Sequence, residues 1–304
     1  MSINSSLVRE LREKSGAGMM DCKKALEETN ENIKDALIWL RKKGLSTVAK
    51  KSSRISSEGL IATNTKGNSA TLIEINSETD FVSRNEEFQN FVKKVSNISI
   101  DVNILDDLIN CNFNDKKLIK DELNEKIAKI GENLVIRRMK KISVSKGVVV
   151  DYIHNRVIDN LGRIGVIIAL ESDANQEVLS QLGKKIAMHI AASSPICIHI
   201  KDLSPDLIKH EKDVLAEQAK SSGKPPEIIE KMVQGKLKKY YEEVVLYEQK
   251  FVMNTEMKVK DVIDEAEKNS GFSISLTDFG HFVLGHGIQK ENKDFASEVA
   301  AQLL

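Results

Sequence analysis

The chain has 304 residues, 41% hydrophobic and 30% charged, which excludes a disordered chain and gives length for two or three domains at roughly 100–200 residues each. Lys plus Arg and Asp plus Glu both number 45, which excludes the broad basic field of a non-specific nucleic-acid binder and leaves only local patches open. Three cysteines with no CxxC pair, no apolar run of the roughly 18 residues a membrane span needs, and no secretory stretch at the N-terminus lead us to expect a cytoplasmic protein in a reducing compartment, without a membrane partner.

Residues 1–54 predict three short helices. Ser5 and Ser6 are candidate N-caps, since a hydroxyl can accept from the free amides of a first turn. Leu7, Val8 and Leu11 share one face, and Gly16-Ala17-Gly18 stops the helix. The second, about 19–29, groups Cys22, Ala25 and Leu26, with Asp21 near its positive end. Asn30 or Asn32 can cap the third, where Ile33, Ala36, Leu37 and Leu40 have helical spacing and Gly44 suits the residue after the last turn. Lys50-Lys51-Ser52-Ser53-Arg54 reads as a solvated linker.

From about 55 the period changes. Gly59 to Thr63, a Lys66-Gly67-Asn68 turn, and Ala70 to Ile75 predict a β-hairpin. Helices are expected near 85–97, with Phe88, Phe91, Val92 and Val95 on one face, and near 115–130; a third strand starts at Leu134. The pattern recurs: Gly147 to His154, a loop, and Arg163 to Glu171 predict a second hairpin, followed by a helix near 175–192. Gly59 and Gly147, which open the hairpins, lie 88 positions apart. The expected class is α+β, with a core of two related subdomains, 55–143 and 144–284, each an antiparallel sheet with helices on one face. A helical hairpin of about 204–245 is inserted in the second, its bend at Gly223-Lys224-Pro225-Pro226. A strand near Lys250, a helix near 258–268, a strand near Phe272 and an amphipathic C-terminal helix at about 291–304, within a module 285–304, complete the chain.

Enzyme chemistry has no visible home. GxxxxGK[ST] and strand–GxGxxG–helix patterns are absent. The stretch Gly280 to Gly287 is glycine-rich but has no lysine at its bend, and reads as a flexible loop. Cys197 and His199 lack a second ligand pair, His281 and His286 do not align on a helix, and Ser193-Ser194-Pro195 has no nucleophile-elbow context. No catalytic residue, metal or cofactor is expected. Two features stand out. Met19 and Met20 follow the Gly16–Gly18 turn, and either pack into the small core or form an adaptable recognition surface. Thr79-Asp80-Phe81-Val82 sits where the hairpin gives way to a helix. Spacing alone favours Phe81 as a cap on the sheet–helix core, and the other reading is a projecting anchor beside a carboxylate.

These residues resemble the bacterial elongation factor Ts family. Leu7 to Arg12, leading into Gly16-Ala-Gly-Met-Met-Asp-Cys-Lys-Lys-Ala-Leu26, is similar to that family's N-terminal signature, and Thr79-Asp-Phe-Val82 to its core signature. Further likenesses follow in order: Lys129-Ile-Gly-Glu-Asn133 with Arg137-Arg138, Ala187 to Ala192, Ser222 to Pro225, Lys231 to Gly235, and Phe251 to Met253. The resemblance spans essentially the whole chain. It implies a ubiquitin-associated-like N-domain, a two-part core, a coiled-coil hairpin and a C-terminal helical module. It also implies a guanine nucleotide exchange factor for elongation factor Tu, which promotes GDP release by perturbing the magnesium and nucleotide site. By resemblance, Arg12, Met19 and Met20 would touch the partner's nucleotide-binding domain. Thr79, Asp80, Phe81 and Val82 would act beside its magnesium site, with Ile130 and Gly131 adding to that contact. His154 would face another domain, and Phe295 and Val299 of the tail would return to the first. One departure is the lengthened stretch from Tyr152 to Arg163, which weakens the role carried to His154. The helical hairpin could support a dimer or a two-plus-two complex. The competing reading is an RNA-binding accessory protein of translation, carried by Arg41-Lys-Lys43, Lys50-Lys51, Arg137 to Lys141 and Lys236 to Lys239. These clusters lack interleaved aromatics, so direct nucleic-acid binding is not expected.

Overall fold

The computed structural model describes residues 4–220 and 225–289. The expected tail helix, with Phe295 and Val299, lies outside these residues, as do Ser222 to Lys224 of the hairpin bend.

Three helices open the chain: α1 (Ser5–Ser15), α2 (Met19–Glu28) and α3 (Ile33–Lys51). The cap of α1 is Asn4, one residue before the expected serines, its side chain accepting from the Ser6 amide at 3.0 Å. Asn32 caps α3 by accepting from Lys34 and Asp35. Leu11, Cys22, Ala25, Leu26 and Ala36 form the small core. Contrary to expectation, α3 runs through Gly44 to Lys51. A β-carbon on Gly44 would lie 3.5 Å from that of Ala128, so this position is where α3 rides against another helix. Beyond it, Val48 packs on the larger core and the Lys51 ammonium donates to the Gly131 carbonyl. Tertiary contact thus outweighs the stop signal, and the expected linker is partly helix.

The first hairpin comprises β1 (Glu58–Lys66) and β2 (Ser69–Ser77), followed by the single turn α4 (Asp80–Ser83) and α5 (Glu86–Ser99). Then come α6 (Leu105–Ile109), the short pair β3 (Asn112–Asn114) and β4 (Lys117–Leu118), α7 (Ile119–Ile130) and β5 (Val135–Ser143). The second hairpin is β6 (Gly147–Ile158) and β7 (Leu161–Glu171), followed by α8 (Gln176–Ser193). The inserted helices are α9 (Pro205–Lys220) and α10 (Pro226–Val244); β8 (Lys250–Phe251), β9 (Asn254–Lys258), α11 (Val259–Ser270) and β10 (Ser275–Val283) complete the described chain.

The fold is α+β. The two hairpins belong to one sheet, in the order β10-β7-β1-β2-β5 with β6 also on β7. They join where Ile61 and Ala62 pair with Gly162 and Leu161, and Asp151 accepts from the hydroxyls of Thr63 and Thr65 across the junction. The reason is burial on both faces. Side chains alternate along a strand. Leu60, Ala62, Ile73 and Ile75 pack with Phe88, Phe91 and Ile127 of α5 and α7. Val148, Val150, Val166, Ile168 and Leu170 pack with α8 and α11. The opposite faces, including Ile61, Leu72, Val149, Ile153, Ile167 and Ala169, meet in a third cluster between the hairpins. Gly59 and Gly147 hold equivalent places, at φ +121° and +131°, where a β-carbon would collide with the carbonyl oxygens of Ile75 and Leu170. Each hairpin thus opens on a glycine because no side chain fits there.

Two loops expected from the sequence are strand instead. Pairing of β6 with β7 continues through Arg156–Gly162 and Ile158–Leu161, so Tyr152 to Arg163 is a lengthened hairpin, with Asn155 and Asn160 absorbing positive φ. The last strand starts later than expected, at Ser275, and takes up Gly280 to Val283 of the glycine-rich stretch. His281 lies there, and burial, then the charges of Arg138 and His286, push its pKa down to about 4.

A buried carboxylate ties this strand end to the first hairpin. Glu74 of β2 is fully enclosed and accepts from Arg137 at 3.0 Å, Arg138 at 2.5 Å, Asn76 at 3.0 Å and the Gly285 amide at 2.8 Å. Burial pushes its carboxyl up, but the Gly285 amide, Asn76 and Arg138 together outweigh burial and hold it below the ordinary range.

Both groups bind fewer protons folded than unfolded, so acid destabilises the protein through each. Stability should fall first between the ordinary histidine value of 6.5 and about 4, where the unfolded chain takes a proton that His281 refuses. A second loss should follow below the ordinary carboxylate range, as the pH drops through the lowered Glu74 pKa. In urea unfolding followed against pH, H281Q should flatten only the first limb. E74Q should flatten the second and cost about 2–3 kcal/mol at neutral pH, because both arginines keep some solvent contact.

Candidate partner-binding site

After Ser77 the chain leaves the sheet and turns through Glu78 and Thr79 into α4. Successive residues on a helical turn point in different directions, and here they divide sharply. Val82 enters the core beside Phe88 and Phe91, whereas Phe81 is 78% exposed. This overturns the spacing-based placement of Phe81 as a core cap: α5 already fills that space with its own two phenylalanines. The turn is held locally, with the Ser83 hydroxyl donating to the Asp80 carbonyl at 2.6 Å and Gln89 donating to the Ser83 carbonyl at 2.9 Å. Asp80 opens the turn half-buried.

Thr79 stands where a threonine usually caps a helix, yet makes no side-chain cap. Its amide and hydroxyl instead donate to the two carboxylate oxygens of Glu132, at 2.9 and 2.6 Å. Glu132 follows Gly131, which ends α7 in the left-handed region at φ +84°. In the reverse direction, the Asn133 amide donates to Glu78 at 2.6 Å. Each turn thus supplies an acid for an amide of the other. Arg54 pairs with Glu78 at 3.3 Å, and the Asn133 side chain donates to the Arg54 carbonyl at 2.8 Å. The structure therefore ties the start of the 79–82 turn to the residues that follow Ile130 and Gly131, and joins the latter turn to the end of α3.

Beneath this pair of turns, Glu87 of α5 meets Lys126 and Lys129 of α7 at 2.7 and 2.8 Å, and Lys126 also meets Glu122 at 3.0 Å. Burial pushes the Glu87 carboxyl up, but the two lysines prevail and lower it. Burial likewise opposes the charge on Lys126, and Glu87 with Glu122 overcomes it, so that pKa rises. Salt-bridged in this way, α5 and α7 hold their ends in fixed register.

The remaining sequence candidates lie elsewhere. Met19 and Met20 begin α2 and are 59% and 74% exposed, which removes the core alternative for both. Arg12 is exposed on α1. No hydrogen bond or ion pair among the described residues joins these three to the Phe81 turn. His154 is exposed on the lengthened hairpin, its Nδ1 3.0 Å from the Tyr152 hydroxyl. Among the described residues no His, Cys, Asp and Glu cluster could hold a metal. Cys197 donates to the His199 carbonyl, and burial, then Asp202, raise its thiol pKa. His189 is fully buried, with Nδ1 accepting from the Val252 amide and Nε2 against Gln249. Sequence reasoning placed Glu132 and Asn133 in a family-like motif and Lys51 in a basic stretch, but missed what they and Glu78 hold, because nothing local shows a partner more than 50 positions away.

No helix among the described residues is long and apolar enough to cross a membrane. The family model described as Elongation factor TS matches residues 78–286. Similar proteins include elongation factor Ts of Rhodospirillum centenum, 49% identical over 98% of both chains. Those of Bartonella bacilliformis, at 46% over 99% of both, and Paramagnetospirillum magneticum, at 47% over 99% of this chain and 97% of its own, are alike in extent. Matched along nearly its whole length, with the motifs in one collinear order, the chain belongs to the elongation factor Ts family of translation elongation factors.

Proposed function

We propose that this chain binds elongation factor Tu carrying GDP and speeds release of the nucleotide, making and breaking no covalent bond itself. The observation that carries the reading is Phe81, a phenylalanine 78% exposed on a turn that is otherwise tightly held. An exposed aromatic ring gains about 1.5–3 kcal/mol when buried. If the partner offers that burial only after one of its helices has moved, the gain drives the movement. Magnesium demands near-octahedral ligands at about 2.0–2.1 Å, so a small displacement beside it weakens the ion and the phosphates it holds. Asp80, beside the ring, would add a charge at the same place.

Phe81 alone is worth roughly one to two decades in affinity. Firm nucleotide binding therefore has to be opposed by further contacts: Met19, Met20 and Arg12 on the helical module, Ile130 and Gly131 on the turn that Glu132 ties to Thr79, and His154 on the second hairpin. Linkage sets the direction of the cycle. A factor that weakens GDP binding is itself weakened by GDP to the same degree, and rebinding of GTP releases it.

The RNA-binding reading loses one of its patches. Arg137 and Arg138 are engaged by Glu74, and Lys140 by Asp278 and the Phe279 carbonyl. Charges already paired within the fold have less to offer phosphates.

Release of a fluorescent GDP from elongation factor Tu, with and without the chain, tests the proposal; no acceleration would sink it. F81A should slow stimulated release by about tenfold or more while changing affinity for nucleotide-free partner much less. Equal losses would reduce Phe81 to a simple anchor. Replacing Met19 and Met20 together by alanine should weaken complex formation measured by titration calorimetry with the melting temperature unchanged, since neither side chain belongs to the small core.

A further inference from the structure

We propose that Glu132 is a positioning residue, whose carboxylate holds Thr79, and through it the Phe81 turn, against the Ile130–Gly131 turn as one preformed docking surface. The inference rests on the exchange reading above and says how that site is kept ready. A four-residue helix cannot hold itself, because one hydrogen-bonded turn does not offset the dihedral freedom it removes. Inside the fold α4 is secured from below by Val82. At its start, the element that fixes the backbone is Glu132, which takes both the amide and the hydroxyl of Thr79. Thr79 gives up its usual capping bond to make this contact. The opposite cross, from the Asn133 amide to Glu78, makes the link two-way. Lys51, on the Gly131 carbonyl, carries the same fixture to the end of α3. The module bearing Met19 and Met20 and the turn bearing Phe81 are thus mounted on one hub.

The core does not need this carboxylate. The cluster beneath, built on Phe88, Phe91, Val92 and Ile127, is apolar and packs without it. What Glu132 supplies is order at the surface, and order present beforehand does not have to be created during docking. T79S keeps the hydroxyl, T79V removes it, and E132Q keeps the side-chain shape but has one acceptor oxygen where two are used.

The test uses the full chain in two measurements. In the isolated protein, exchange of the hydrogen-bonded amides of Thr79, Arg84 and Asn85 should quicken by about tenfold in E132A, with β1 and β2 unaffected. Unchanged exchange at the turn overturns the proposal, whatever the partner does. With elongation factor Tu, kcat/KM for stimulated GDP release should drop about tenfold in E132A and T79V, and fall by less in E132Q and T79S. On an F81A background, E132A should have little further effect, since it acts through the Phe81 turn. A full additive loss there would mark Glu132 as a general structural residue and overturn the proposal. If E132A fails to fold, T79V and E132Q carry both measurements. Failure of the wild-type chain to speed release would defeat the exchange reading alone, because the hydrogen-exchange result stands apart from it.

Discussion

Strands β1, β2, β6 and β7 bury side chains on both faces, and most of the architecture follows from that constraint. A strand with two apolar faces needs a cover on each. Helices α5 and α7 cover the outer face of one hairpin, α8 and α11 that of the other, and the inner faces cover each other. The backbone junction at Ile61–Gly162 and Ala62–Leu161 makes the two halves one sheet. Glu74 brings a charge into this interior with two arginines, an amide side chain and a backbone amide to satisfy it.

With both sheet faces occupied, recognition is left to the ends of elements. The Phe81 turn follows the end of β2, and Ile130 and Gly131 close α7. Both elements belong to the same packed half, so the turns are mounted on rigid supports. On the exchange reading proposed above, such mounting matters, because a yielding wedge would bend before its partner did. In that reading the exposed ring and the carboxylate that holds Thr79 would act together, one supplying burial energy and the other direction.

Much was legible beforehand where local rules and tertiary structure agree. The three N-terminal helices, both hairpins, α5, α8 and the inserted helices follow from periodicity and turn residues. Where they disagreed, long-range contact prevailed. Gly44 suits a helix end by its residue type, but α7 lies beside it and the helix continues. The stretch from Tyr152 to Arg163 looked like a loop because Asn155, Asp159 and Asn160 interrupt its pattern, but pairing with β7 continues across them. Phe81 has the same spacing as a core residue, and only the prior occupancy of that core by Phe88 and Phe91 turns it outward.

The sequence by itself determined the class of fold, the two hairpins, and a family resemblance that relatives matched along nearly the whole chain then bore out. Those properties reside in residue types and their order along one chain. Tertiary structure alone decided that Phe81, Met19 and Met20 face solvent, and that Thr79 belongs to Glu132, 53 positions away. It also decided that Lys51 reaches Gly131 across 80 positions. Exposure is what remains after every other side chain has been placed, and a hydrogen bond between distant turns depends on the packing of the helices and strands that carry them; neither is a property of any short stretch of sequence.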